Sequence, residues 1–326
     1  MPSRRRLLGS FAASGFLASV GARAQSEKVL RVGTLRPGPA MTADSPFGKI
    51  LVDALAQQGH VLGRTLIVEA RSARSAAELP QIMGELKASR ADVVVVVGYP
   101  AAVAAKASGV PSVIAWGAGD PVATDLVESW AHPGGTITGI SDVAATLTAK
   151  RLQILKEFSP NLRRVAMLWN RDDLGMSLRY KASADTAQSL GVAVQALGVR
   201  EPDDFEEAFA AMDRERPDAI LMVTDSLTAL NRKRVFEYAT THRLPAIYEY
   251  DFLVQDGGLM SYGGDLRESM VRVASMIDRI FRGARPGDLP FELPTLYPFV
   301  INLKTARAMG IEPPASLLAL ADDVIE

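Results

Sequence analysis

Asp92-Val93-Val94-Val95-Val96-Val97-Gly98-Tyr99-Pro100-Ala101-Ala102 places five valines in a row and then breaks on a glycine. A strand with one face in water alternates apolar and polar residues; an unbroken β-branched run belongs to a strand covered on both faces, as in parallel sheets. Proline two residues beyond the glycine suits the first turn of a helix, where its missing amide proton costs nothing. The stretch therefore reads as a buried strand running directly into a helix, the repeating unit of an α/β fold.

The same alternation extends to both sides. Upstream, Val29–Leu35 reads as a buried strand, Ser45–Gln58 as a helix stopped at Gly59, and Leu66–Ala73 as a second strand. Ser75-x-x-Glu78 has the form of a capping box opening the next helix. Downstream, a helix starts at Ala101 and a strand covers Ser112–Trp116. The order then begins again with strand Arg164–Trp169, a helix ending near Leu190-Gly191 and strand Ala193–Val199. Asp203-x-x-Glu206 repeats the capping-box spacing before a helix with Phe205, Ala208, Phe209 and Met212 on one face. Strand Ala219–Thr224, another helix and strand Pro245–Tyr250 complete the second series. Val32 to Gly59 spans 27 residues and Val165 to Gly191 spans 26. Matching order and spacing predict two similar, doubly wound parallel-sheet lobes rather than one large sheet.

Three extended segments, two of them glycine-marked, lie between these series: Gly134–Ser141, Gly257–Gly264, and Tyr297–Asn302 after the proline-rich stretch Pro286–Pro294. Asp265-x-x-Glu268 caps a helix after the second, and Leu303–Met309 reads as a helix after the third. They predict a hinge of three chain crossings. One lobe is expected from residues 28–138 plus 264–296, the other from 139–263 plus 297–326.

Composition narrows the class. Of 326 residues, 48% are hydrophobic and 22% charged, a globular balance long enough for two cores. There is no cysteine, which excludes disulfides, thiolate chemistry and a lipid anchor on an N-terminal cysteine. His60, His132 and His242 are too scattered for a local metal motif. Met1–Arg6 is basic, Leu7–Ala22 is an uncharged run, and Ala22-Arg23-Ala24 has the small-x-small form of a signal-peptidase site. Residues 1–24 are expected to be a cleaved signal peptide. Without them 32 basic residues face 37 acidic ones, a net charge of about −5 that leaves no broad cationic surface for nucleic acid. Ser3-Arg4-Arg5-Arg6-Leu7-Leu8 resembles the twin-arginine export signal, with Leu7 and Gly9 where that signal has Phe and Lys, so both export routes stay open. The mature chain is expected free in the periplasm.

Val96-Val97-Gly98-Tyr99-Pro100-Ala101-Ala102, Gly119-Asp120-Pro121-Val122 and His132-Pro133-Gly134-Gly135-Thr136-Ile137-Thr138-Gly139 occur in that order. Arg164-Val165-Ala166-Met167-Leu168-Trp169-Asn170, Gly258-Leu259-Met260-Ser261-Tyr262-Gly263 and Val300-Ile301-Asn302-Leu303-Lys304-Thr305-Ala306 follow. In this order they make the chain, from about Val29 to Ile325, similar to the ABC-transporter substrate-binding proteins of the tryptophan/tyrosine-linked branch. That resemblance implies a type I periplasmic-binding fold closing on a small amino-acid-like solute, with an inner-membrane ABC permease as partner and no cofactor. A monomer is expected. Gly98-Tyr99-Pro100 departs from the Gly-Thr-Pro more often seen in that family, so the threonine-hydroxyl contact that the resemblance implies is not expected to carry over unchanged.

In open parallel sheets ligands sit beyond the carboxyl ends of the strands. Gly98, Tyr99 and Pro100 occupy that place after the valine strand, as a cradle for a carboxylate with Tyr99 as a wall, or as a tight turn that Tyr99 covers. Trp116 and Asp120 end and follow the next strand; Asp120 lines the cleft or merely starts a turn. In the second lobe Asn170 and Asp172 follow one strand, and Asp225 and Ser226 another, with Asp225 either pairing with a ligand ammonium or capping the next helix. Tyr248, Glu249 and Asp251 end the following strand, and Tyr262 lies on a crossing. Rings suit an aromatic or apolar solute, although an isolated tyrosine also suits the core.

No catalytic set emerges. Gly33-x-x-x-x-Gly38 has phosphate-loop spacing, but Pro39 and Ala40 stand where Lys and Ser/Thr are needed. Neither a dinucleotide fingerprint after the first strand nor a Gly-x-Ser-x-Gly elbow is present. The acid pairs Asp172-Asp173, Asp203-Asp204 and Asp322-Asp323 read as caps and solvated turns. A transport receptor is the leading expectation; a ligand sensor for a membrane receptor, or an enzyme on the same architecture, remain alternatives.

Overall fold

The five valines of the opening run divide between two cores. In the computed structural model, which describes residues 29–141 and 144–326, Val93, Val95 and Val97 enter one hydrophobic cluster and Val94 and Val96 another. The strand is thus covered on both faces, as its composition requires. The expected signal peptide lies outside the described residues.

The first series runs β1 (Leu30–Pro37), α1 (Pro46–Gln57), β2 (Leu66–Ala73), α2 (Leu79–Ala88), β3 (Val93–Val97), α3 (Tyr99–Ser108), β4 (Ser112–Trp116) and β5 (Ile137–Gly139). Its sheet is parallel throughout, in the order β2-β1-β3-β4-β5. The second series runs α4 (Ala144–Phe158), β6 (Arg164–Asn170), α5 (Leu174–Ser189), β7 (Ala193–Val199), α6 (Asp204–Arg214) and β8 (Ala219–Met222). It continues with α7 (Ser226–Leu230), α8 (Arg232–His242), β9 (Ala246–Tyr248), α9 (Asp251–Gln255) and β10 (Met260–Tyr262). After α10 (Leu266–Phe281) come β11 (Phe299–Asn302), α11 (Leu303–Met309), α12 (Ala315–Leu320) and β12 (Asp323–Ile325).

The repeat foreseen from spacing holds at the level of topology. The second sheet begins β7-β6-β8-β9-β10, the order of the first sheet, and then adds β11 and β12. It is not wholly parallel: β11 returns antiparallel to β10. The cause lies in the path of the chain. After β10 the chain leaves for the first lobe, where Met270, Val273, Ala274 and Ile277 of α10 pack with Leu51 and Leu55 of α1. It re-enters the second sheet from the opposite end.

The segments expected between the lobes are therefore themselves strands. Gly134–Ser141 contains β5 at the edge of the first sheet, while β10 and β11 lie within the second. The first crossing is joined to the proline-rich stretch that leads into the third by backbone hydrogen bonds, from Ser141 to the Glu292 carbonyl at 2.9 Å and from Glu292 to the Gly139 carbonyl at 3.0 Å. The second is tied to the third where Asp265 donates to the Leu296 carbonyl at 3.0 Å and the Glu268 carboxylate accepts from the Thr295 amide at 2.9 Å.

Two expected capping boxes differ in detail. Ser75 makes no side-chain cap; Glu78 instead accepts from the Arg74 amide at 2.9 Å around a short 3-10 turn at Ala76–Glu78. Asp203 is already helical in conformation and caps nothing, while Asp204 accepts from the Arg200 amide at 2.7 Å. Asp265 caps α10 as expected. Among the described residues no helix is long and apolar enough to cross a membrane.

Candidate functional site

Equal strand orders place equal crevices in the two sheets. In the order 2-1-3-4-5 the chain reverses direction of progress between the first and third strands, and a crevice opens at their carboxyl ends. Arg36 and Pro37 end β1, and Gly98 follows β3, on one side of the molecule; Thr224 and Asp225 follow β8 on the other. These groups line a single cavity of about 380 Å³ between the lobes, within the range of small-ligand sites.

The lobes touch around it. A Cβ placed on Gly175, at the start of α5, would meet the Ala118 carbonyl oxygen at 2.9 Å, and one on Gly38 would meet the Leu230 side chain at 3.1 Å. Gly98 itself has φ +88°, a conformation that opens the strand-to-helix turn toward the cavity and that side chains disfavour.

Aromatic rings form the apolar wall. Phe47 of α1 lies 5.0 Å from Trp116 and 6.5 Å, edge-on, from Phe252, and Tyr250 stacks on Phe252 at 5.9 Å. All four line the cavity, and tilted or offset ring pairs of this kind form favourable contacts with a further ring.

Charge is distributed unevenly. Arg232 pairs with Asp256 at 2.7 Å, and Arg267 lies 3.4 Å from Asp251, whose carboxyl is raised above its usual value mainly by burial. Asp225 accepts from the Thr228 amide at 2.9 Å, completing a capping box on α7, and from the Asn170 amide group at 2.7 Å. Arg36 differs. Among the described residues its guanidinium makes no ion pair, its buried Nε has no hydrogen-bond partner, and it lies 6.0 Å above the Trp116 ring. Burial, and then the like charge of Arg232, lower its pKa. The Thr224 hydroxyl on the facing lobe is likewise buried without a partner.

The structure brings Gly98, Trp116, Asp225, Ser226 and Asp251 together on the cavity wall. Asn170 stands directly behind Asp225. Tyr99 and Pro100 form the first turn of α3, and Tyr99 packs on the core beneath it rather than forming a wall, so the turn-covering reading describes it. Asp120 is exposed and accepts from the Val122 and Ala123 amides, the turn-starter arrangement. Asp172 is exposed and 3.4 Å from Arg200.

Three further candidates are internal. Tyr248 is fully buried, edge-on to Phe236 at 5.1 Å, and burial raises its pKa. Glu249 is 1% exposed, between Arg151 at 3.2 Å and Arg179 at 2.7 Å, and also accepts from the Thr224 amide. Tyr262 is half-buried in β10, where its carbonyl accepts from Arg151 Nε at 2.7 Å. β9 ends at Tyr248, earlier than its apolar run suggests, so Tyr250 and Phe252 reach the cavity while Tyr248 and Glu249 face inward. Arg36, Phe47, Thr224, Arg232, Tyr250, Phe252 and Arg267 were not among the expected residues. Applied to β1, the strand-end rule used for Gly98 points to Arg36; nothing local marks Phe47 or Arg267, which arrive from helices distant in sequence.

The comparisons with known proteins agree with this architecture. A structure of a conserved domain protein from Vibrio cholerae has a TM-score of 0.84 at 24% identity, covering 91% of this chain and 100% of that one. An ABC domain in complex with L-Trp from Streptococcus pneumonia has a TM-score of 0.81 at 23% identity, with coverages of 91% and 100%. A tyrosine-binding protein of Clostridioides difficile is 22% identical over 266 residues, 81% of this chain and 76% of its own length. The fold is that of the type I periplasmic-binding proteins, and residues 42–325 match the family profile described as ABC transporter substrate binding protein. With that match spanning all but the first strand of the described fold, the chain belongs to the ABC transporter substrate-binding protein family.

Proposed function

We propose that this protein is the solute receptor of an ABC importer, exported to the periplasm and closing on an aromatic, amino-acid-like molecule that it delivers to an inner-membrane permease. The observation that carries the reading is the inter-lobe cavity: four aromatic rings beside an arginine and an aspartate that make no ion pair among the described residues. Rings suit an aromatic body, a guanidinium a carboxylate and a carboxylate an ammonium. A tyrosine-binding protein and an L-Trp complex among the similar proteins support the same class. Family membership among substrate-binding proteins supports binding without chemistry.

The glycine-lined contacts between lobes support a ligand that shifts the population toward the closed form, because only that form touches it from both sides. Native mass spectrometry of periplasmic material tests the whole reading. The mature chain should begin at or near Gln25 and carry a small aromatic amino acid or close relative. Full-length protein confined to the cytoplasm would remove the export step, and a co-purified sugar or metal ion would remove the ligand class.

A further inference from the structure

Two of the residues that line the cavity, one from each lobe, carry buried donors without an acceptor among the described residues. Asp225 already accepts from Thr228 and Asn170, and so is hydrogen-bonded before any ligand arrives. Arg36 Nε and Thr224 Oγ1 are not; both are buried donors with no acceptor among the described residues, one from each lobe. A buried donor left without an acceptor costs free energy, more so when it is charged. Arg232 adds a second guanidinium close enough to depress Arg36, although Asp256 neutralises it. The requirement at this point is an anion with several acceptor oxygens in one plane, which a guanidinium fork grips from one side and a hydroxyl from the other.

We infer that Arg36 and Thr224 form the carboxylate seat of the cavity, and that the carboxylate, rather than the α-amine, is the group the protein requires. The ligand class then widens from aromatic amino acids to aromatic carboxylic acids with or without an amine. The ring of such an acid lies against Phe47, Trp116, Tyr250 and Phe252, and the Arg36 guanidinium, held over Trp116, sets the distance between ring and carboxylate. Closure completes the seat, because its two donors belong to different lobes.

This rests on the receptor reading above but fails separately from it. Calorimetry on the exhaustively dialysed mature protein would use L-tryptophan, L-tyrosine, 3-phenylpropionate and 2-phenylethylamine as probes. The wild type should bind the three carboxylates and not the amine. Arg36→Met should weaken all three by about thirtyfold or more. Arg36→Lys, with a charge but no fork, should fall between. Thr224→Val, which keeps the shape and loses the hydroxyl, should cost about threefold to tenfold. Lys181→Met, exposed on α5, serves as the charge control. Thermal melts of each variant separate loss of affinity from loss of fold. Unchanged amino-acid affinity in a folded Arg36→Met would overturn the seat and leave the receptor standing. Binding of 3-phenylpropionate without either amino acid, abolished by Arg36→Met, would uphold the seat and narrow the ligand to simple acids. Binding of the amine alone, or of no probe, would overturn the seat.

Discussion

Two arginine clusters meet at Thr224, whose amide donates to one and whose hydroxyl lies beside the other, and they differ in what they lack. In the second lobe Arg151 and Arg179 share the Glu249 carboxylate at 3.2 and 2.7 Å, with all three side chains at most 2% exposed. At the cavity, on the same Thr224 whose amide donates to Glu249, the chemistry opens out. There Arg36 Nε and the Thr224 hydroxyl are buried without an acceptor among the described residues. A network closed on itself specifies the fold; one left open costs stability in the free protein and is completed by something outside the chain. Buried charge serves both purposes, and only the presence or absence of its partner distinguishes them.

The sharpest way to break this comparison is to open the closed cluster. Glu249→Leu leaves two buried guanidiniums without their shared carboxylate and should destabilise the fold by about 3–5 kcal/mol, read as a lowered urea midpoint. Arg36→Met, by contrast, removes an uncompensated charge, so the ligand-free protein should melt no lower than wild type. A large loss of stability there would place Arg36 with the structural cluster instead.

Asp225 sharpens the boundary between the two. Asp225→Asn keeps the acceptor that caps α7 while removing the charge, and should weaken aromatic amino acids by about tenfold, or about 1.4 kcal/mol. Affinity for the corresponding acid without an amine should not fall, and an equal loss for both would mean that Asp225 acts only by holding α7 in place. Gly175→Ala tests the contact between the lobes. Alanine suits the helix better than glycine, so the ligand-free protein should not lose stability. Its Cβ would nevertheless press on the Ala118 carbonyl in the closed form, and affinity should drop by roughly threefold as closure becomes harder.

A further test concerns pH. Asp173 caps α5, and its pKa is pushed up to about 7 by burial and then by the neighbouring Asp225 charge, against the opposing pull of the Met176 amide and Arg179. A carboxyl that holds its proton more tightly when folded stabilises the fold below its unfolded pKa, and that contribution is lost as pH rises through the folded value. Stability should therefore decline between about pH 4 and about pH 7. Asp173→Asn keeps the capping oxygen and should flatten that decline in thermal melts. Asp225→Asn should shift it to lower pH, and an unchanged profile in both variants would remove Asp173 from the titration.

What the sequence determined by itself is the architecture. The valine run, the repeated order of strands and helices and the glycine stops are local patterns, and local patterns fix which strands are covered on both faces. The doubled strand order of the two sheets follows from them. Gly98, Trp116 and Asp225 were legible as cavity residues because a strand end marks its own place in an α/β fold. Tertiary structure decided the rest. Tyr248 and Glu249 read as strand-end candidates, but the turn from inside to outside falls after them, and a shift of one or two residues along a chain reverses which side chains meet the ligand. The antiparallel return of β11 depends on where α10 docks, which no local pattern records. Arg36 could be placed from sequence but not interpreted: that it lacks a counter-ion among the described residues depends on every other element packed around it, and shows only once the two lobes stand together.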